Sequence, residues 1–138
     1  MTRWIVLVAA GGIAGCSQYS LRMEDTSFCQ IAEHAASFEG RKVRFRSQIE
    51  SDGLHGSYLA DKGCGKSIAI GTADTQGMNA VNEVIYTVGA PGTMKKSVSA
   101  IWIGRIRNHG SAVFLDVERV EDVSYRLTSA WRKSGDPP

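Results

Sequence analysis

The sequence predicts a mainly β domain of the α+β class: five strands with a helix between the third and fourth, preceded by a short N-terminal helix. Three observations predict it. Residues alternate strictly between apolar and charged from Arg41 to Ser51, apolar spacing becomes helical after Gly77, and strand character returns at Val98. With 138 residues, 43% of them hydrophobic and 22% charged, the chain can bury one core. Sixteen Lys+Arg against 14 Asp+Glu give a formal charge of +2, so bulk charge does not by itself indicate a polyanion-binding surface. Fifteen Gly, 3 Pro and no run of like charge exclude a disordered, collagen-like or coiled-coil chain.

Each element has a local reason. Ser27 and Gln30 have capping-box spacing, Phe28, Ile31, Ala32, Ala35 and Phe38 recur at helical intervals, and Gly40 can close the helix. The first strand then puts Val43, Phe45, Ser47 and Ile49 on one face and Lys42, Arg44, Arg46, Gln48 and Glu50 on the other. Asp52-Gly53 is turn chemistry, Ser57 to Ala60 is the second strand, Asp61 to Gly65 is a second turn, and Ser67 to Ile70 is the third strand. Met78, Val81, Val84, Ile85 and Val88 share one helical face, which Gly89-Ala90-Pro91-Gly92 terminates. Val98 to Arg107 carries apolar residues on both faces, as in a strand covered on each side. After the Asn108-His109-Gly110 turn, Ala112 to Val123 forms the last strand, and the phase of Val120 and Val123 predicts a bulge.

The N-terminus reads as an export address. Arg3 supplies the positive charge, and Trp4 to Gly15 is an uncharged stretch of twelve residues. As a helix it reaches about 18 Å, short of the roughly 30 Å needed to span a bilayer. Ile13-Ala14-Gly15-Cys16 resembles the lipobox of bacterial lipoproteins. That resemblance implies cleavage after Gly15, diacylation of the Cys16 thiol and acylation of its new amino group, which together hold the protein on a membrane. Ser17, which is not Asp, implies sorting to the outer membrane, with the domain facing the periplasm. The expected organisation is a signal peptide over 1–15, a lipid-anchored tether over 16–26, a globular domain over 27–125 and a C-terminal tail over 126–138.

With Cys16 consumed by lipid, Cys29 and Cys64 form an even pair in an exported chain, so a disulfide is the default assignment. A metal thiolate site and a redox pair are the alternatives, and neither has its usual spacing here. A bridge closing about 36 residues contributes about 4 kcal/mol in the chain-entropy account.

The order of three strands, a helix and two strands resembles the oligonucleotide/oligosaccharide-binding (OB) fold, a five-stranded Greek-key barrel, over roughly Gly40 to Val123. The chain is also similar to small bacterial envelope lipoproteins that carry a cysteine in a preceding helix and a segment like Gly40-Arg41-Lys42-Val43-Arg44-Phe45-Arg46. Topology of this kind implies a scaffold and leaves the ligand open.

Arg44, Arg46, Arg105 and Arg107 stand at alternate positions of two strands, a candidate anion-binding ladder if those strands pair, since guanidinium groups take carboxylate or phosphate bidentately. The competing reading is a solvated polar face with Glu50, Asp116 and Glu118 as neighbours. His34, His55 and His109 lack metal-ligand spacing, so no metal or other cofactor is expected. Gly63-Cys64-Gly65-Lys66-Ser67 resembles a phosphate-loop ending, but Ala60 stands where the loop needs its first glycine. No catalytic residue is assigned. The sequence favours a non-catalytic binding module for an envelope protein or glycan, with nucleic acid not expected. The alternative is an envelope enzyme or accessory subunit using polar loop residues near His55 and Asp61.

Overall fold

A computed structural model describes residues 23–54, 57–73, 75–89, 91–92 and 94–128. The leader, Cys16, His55 and the chain from 129 onward lie outside the described residues. Among those described, strand β1 (Glu24–Asp25) leads to helix α1 (Phe28–Glu33) and a 3-10 turn (Ala35–Phe38). Strands β2 (Lys42–Ser51), β3 (Tyr58–Asp61) and β4 (Lys66–Ala73) follow, then helix α2 (Thr75–Thr87) and strands β5 (Lys95–His109) and β6 (Ala112–Thr128). The fold is α+β and mainly sheet: six strands in one mixed sheet of order β1-β2-β3-β4-β6-β5, with β5 also paired to β2. Each of β2 to β6 therefore has a neighbour on both sides. The β4–β6 pairing is parallel and the other pairings among these five strands are antiparallel.

Two expectations are corrected. The strand count is six, because Glu24–Asp25, inside the expected tether, pairs in parallel with Val43 and Arg44. Two residues carry no alternation that a sequence pattern could reveal. They are held by the Thr26 N–H on the Arg44 carbonyl at 3.1 Å and by ion pairs from Glu24 to Arg41 and Asp25 to Arg44. The N-terminal helix is also shorter than its apolar spacing predicts. Its capping box forms as expected, but the chain leaves α-helical geometry at His34 and tightens into the 3-10 turn, where Ser37 N–H reaches the His34 carbonyl at 2.9 Å. The Ala35 carbonyl is instead taken by the Asn108 side chain at 3.0 Å, a tertiary contact that overrides local periodicity.

The inner face of β2 is the predicted one: Val43, Phe45, Ser47, Ile49 and Ser51 are all buried. They join Leu59, Ile68, Val98, Ala100, Trp102, Ile106, Leu115 and Val117 from the other strands. Phe28, Ile31 and Phe38 complete this core from the N-terminal segment, and Met78, Val81, Val84 and Ile85 from α2. Trp102 satisfies its indole N–H on the Ser47 carbonyl at 3.2 Å, as a buried aromatic with a polar handle must. The sulfurs of Cys29 and Cys64 lie at disulfide distance with Cα atoms 5.7 Å apart, tying α1 to the β3–β4 turn.

The expected bulge in the last strand is present. From Ser99 to Ile101 on β5 the partner moves from Ser124 to Glu121 on β6, and a second register shift falls between Ile103 and Gly104. Asp122, inside the first bulge, adopts φ 52°. β6 continues through Thr128, opposite Lys95, beyond the expected start of the tail.

Candidate functional site

The arginine ladder requires β2 and β5 to pair, and they do, over Lys42 to Ser51. Their register places Arg105 opposite Lys42 and Arg44 opposite Ile103. Carboxylates from β1 and β6 then reach every member. Arg44 meets Asp25 at 3.1 Å and Glu121 at 3.6 Å, Arg46 meets Asp122, Arg105 meets Glu118 at 3.4 Å, and Arg107 meets Asp116 at 2.9 Å. Lys42 also pairs with Glu118, and Arg119 with Glu121 at 2.9 Å. The four arginines thus form a neutralised belt. What this belt does is cover Ile103, which lies outside the core cluster yet is 1% exposed, with Arg44 and Arg119 opposite it on the two neighbouring strands. Long alkyl stems shield the isoleucine while their charged ends stay wet.

A different part of the same outer surface is open. Register sets two cross-strand rows: Arg126, Ser97, Glu50 and Tyr58, and beside it Ser124, Ser99, Gln48, Ala60 and Ser67. Two depressions lie along these rows, of about 410 Å³ and about 430 Å³, and both are lined by Gln48, Glu50 and Lys62. Adjoining at these three side chains, they make a two-part groove. Its floor is short and polar because serine and alanine occupy the row positions where longer side chains would close it. Tyr125 and Arg126 stand at the β6 end, while Tyr58 and Lys66 stand at the β3–β4 end. Tyr58 is 46% exposed and Tyr125 54%.

Within the groove Ser97 Oγ donates to Gln48 Oε1 at 3.3 Å, and Ser124 Oγ donates to the Ser99 carbonyl at 3.5 Å. Glu50 is engaged by Lys95 at 2.6 Å, and the hydrogen bond to Glu50 pushes the Lys95 pKa up. Lys62, Lys66 and Arg126 are exposed and pair with no carboxylate among the described residues. The unneutralised positive charge of this face therefore lies here, away from the four arginines that the sequence pointed to. The signal was present in the alternation of Ser97, Ser99 and Ser124 on an outer face otherwise filled by long charged side chains.

Asp61 lines the groove's edge, but its Oδ1 accepts the Gly63 N–H at 2.7 Å and so shapes the β3–β4 turn. His34 and His109 are exposed on the α1 C-cap and the end of β5. Among the described residues no three His, Cys, Asp or Glu side chains converge as metal ligands would. Set against known protein families, curated proteins and solved structures, the chain matches none.

Proposed function

We propose that this chain is a lipid-anchored envelope protein, held at the outer membrane by acylated Cys16 and facing the periplasm, whose domain is a non-catalytic binding module for an envelope protein or glycan. The circuit of pairings β2–β3–β4–β6–β5–β2, with the helix between β4 and β5, supports reading the domain as an OB-like Greek-key barrel. β1 is an accessory strand on its rim. The address rests on the Ile13-Ala14-Gly15-Cys16 resemblance, and the cysteine pair at disulfide distance fits an oxidising compartment.

The observation that carries the binding reading is the two-part groove across the outer rows of β6, β5, β2, β3 and β4. It is open and polar, with the exposed Tyr58 at the β3–β4 end. Filling it tests the reading. Ser97→Trp should leave the melting temperature and Cys16 acylation unchanged and abolish retention of the detergent-solubilised protein on immobilised envelope material. Retention equal to wild type contradicts the groove as the binding site.

A further inference from the structure

We infer that the groove takes an acidic glycan, a chain of sugars bearing carboxylates, laid across the strands. The inference rests on the binding-module reading and names its ligand class. From Ser124 on β6 the row passes through Ser99, Gln48 and Ala60 to Ser67 on β4, a path of four inter-strand steps and about 19 Å at roughly 4.8 Å each, which is oligosaccharide length. Lys62, Lys66 and Arg126 are spread along that length and pair with no carboxylate among the described residues, so an incoming anion meets charge that those residues have not neutralised. Gln48, Ser97, Ser99 and Ser124 offer hydroxyl and amide groups to sugar hydroxyls, and the exposed ring of Tyr58 offers an apolar face to sugar C–H groups.

Competing ligands fit less well. A peptide that adds as a strand would pair along a sheet edge, whereas the groove's lining groups run across β6, β5, β2 and β3 within paired strands. A peptide anchored by large apolar side chains needs apolar pockets, and this groove's floor is serine, glutamine and alanine. Phosphate recognition favours guanidinium forks or converging backbone N–H groups. Here two of the three unpaired cations are lysines, set apart along the groove and suited to one carboxylate each.

The test uses the mature lipoprotein in detergent, titrated with polygalacturonate fragments, with the same fragments fully methyl-esterified, and with inorganic polyphosphate of matched length. The inference expects binding of polygalacturonate, with the ester and polyphosphate each at least about tenfold weaker. Lys62→Gln and Arg126→Gln should each cost roughly tenfold, the scale of one charge-assisted hydrogen bond. Tyr58→Ala should weaken binding as well. Arg119→Gln removes the same charge outside the groove and should change nothing. Equal loss from Arg119→Gln overturns the inference, because attraction would then follow net charge alone. Equal binding of the ester overturns the carboxylate requirement, and tighter binding of polyphosphate overturns the choice of anion; both leave the binding module standing. If none of the three probes binds while Ser97→Trp still abolishes envelope retention, the ligand class is wrong and the module reading survives. If Ser97→Trp also has no effect, both readings fail.

Discussion

Arg107 grips Asp116 with two parallel hydrogen bonds of 2.9 Å, Nε to Oδ2 and Nη2 to Oδ1, and the Thr72 N–H adds a third to Oδ1 at 2.8 Å. This joins β5, β6 and β4 where the β4–β6 register shifts between Ile70 and Ala73. The break leaves the Thr72 N–H facing a carboxylate, which satisfies it.

The same contact sets an acid sensitivity. The Arg107 hydrogen bond, reinforced by the one from Thr72, holds the Asp116 carboxyl well below the usual carboxylate range. A carboxyl depressed in the folded state contributes stability that is complete above its unfolded pKa, about 3.9, and is lost as pH falls below it. The pair stands in solvent, so screening keeps its contribution small. Urea unfolding should show Asp116→Asn less stable than wild type at pH 7, with the gap narrowing below about pH 4. A gap that does not change with pH contradicts this assignment.

Two glycines near this clamp should rank in a defined order. A Cβ on Gly104 would collide with the main-chain carbonyl of Asp116, at the second register shift. A Cβ on Gly71 would collide with the Asp116 carboxylate and lie 2.9 Å from Arg107 Nη2. Side-chain ends can yield and a paired backbone cannot, so Gly104→Ala should destabilise more than Gly71→Ala, on an overpacking scale of about 1–3 kcal/mol. Thermal denaturation of the two variants decides it, and the reverse order contradicts the account.

How much of this was legible in the sequence depends on whether the determinant was local. The inner face of β2 and the buried face of α2 follow from spacing alone, because burial on one side of a regular element imposes its period. The phase slip at Val120 and Val123 likewise revealed the bulge. Glu24–Asp25 was not legible, since two residues have no period. The neutralisation of Arg44, Arg46, Arg105 and Arg107 depended on which carboxylates β6 would deliver, and two register shifts decide that. The groove shares that origin: Ser97, Ser99, Gln48 and Ser124 become one floor only when three strands are laid in register.

Lys96 is fully buried, and its Nζ donates to the Ile85 carbonyl in the last turns of α2. A cation there satisfies a carbonyl at the end of the helix and complements its dipole. Lys96→Met keeps most of the stem and removes the donor, which should cost about 1–3 kcal/mol. Lys96→Ala also opens a cavity and should cost more, about 2–5 kcal/mol. Guanidinium unfolding separates the two, and equal costs would mean that the stem contributes nothing.

The Cys29–Cys64 bridge anchors a segment whose helix is only Phe28–Glu33. Cys64→Ala should lower stability by about 2–4 kcal/mol, and reductant added to the wild type should reproduce the loss. Hydrogen exchange should show α1 loosening before β2 and β5. Two free thiols in the oxidised protein, by titration, would contradict the bridge.

Cys16→Ser removes the thiol that, on the proposed address, accepts the diacylglyceryl group. The variant should leave the membrane fraction or retain its leader, and wild-type protein should show an acylated N-terminal cysteine by mass spectrometry. An unlipidated wild-type N-terminus contradicts the address.

The most direct measurement of the proposed binding is photocrosslinking in intact cells from single positions of the full-length protein. A photoreactive residue at Ser97, on the groove floor, should yield an envelope adduct that excess polygalacturonate suppresses. The same residue at Ser111, in the turn at the other end of the β5–β6 hairpin, should yield little. Equal adducts at both positions, or none at Ser97, would contradict a binding module that works through this groove.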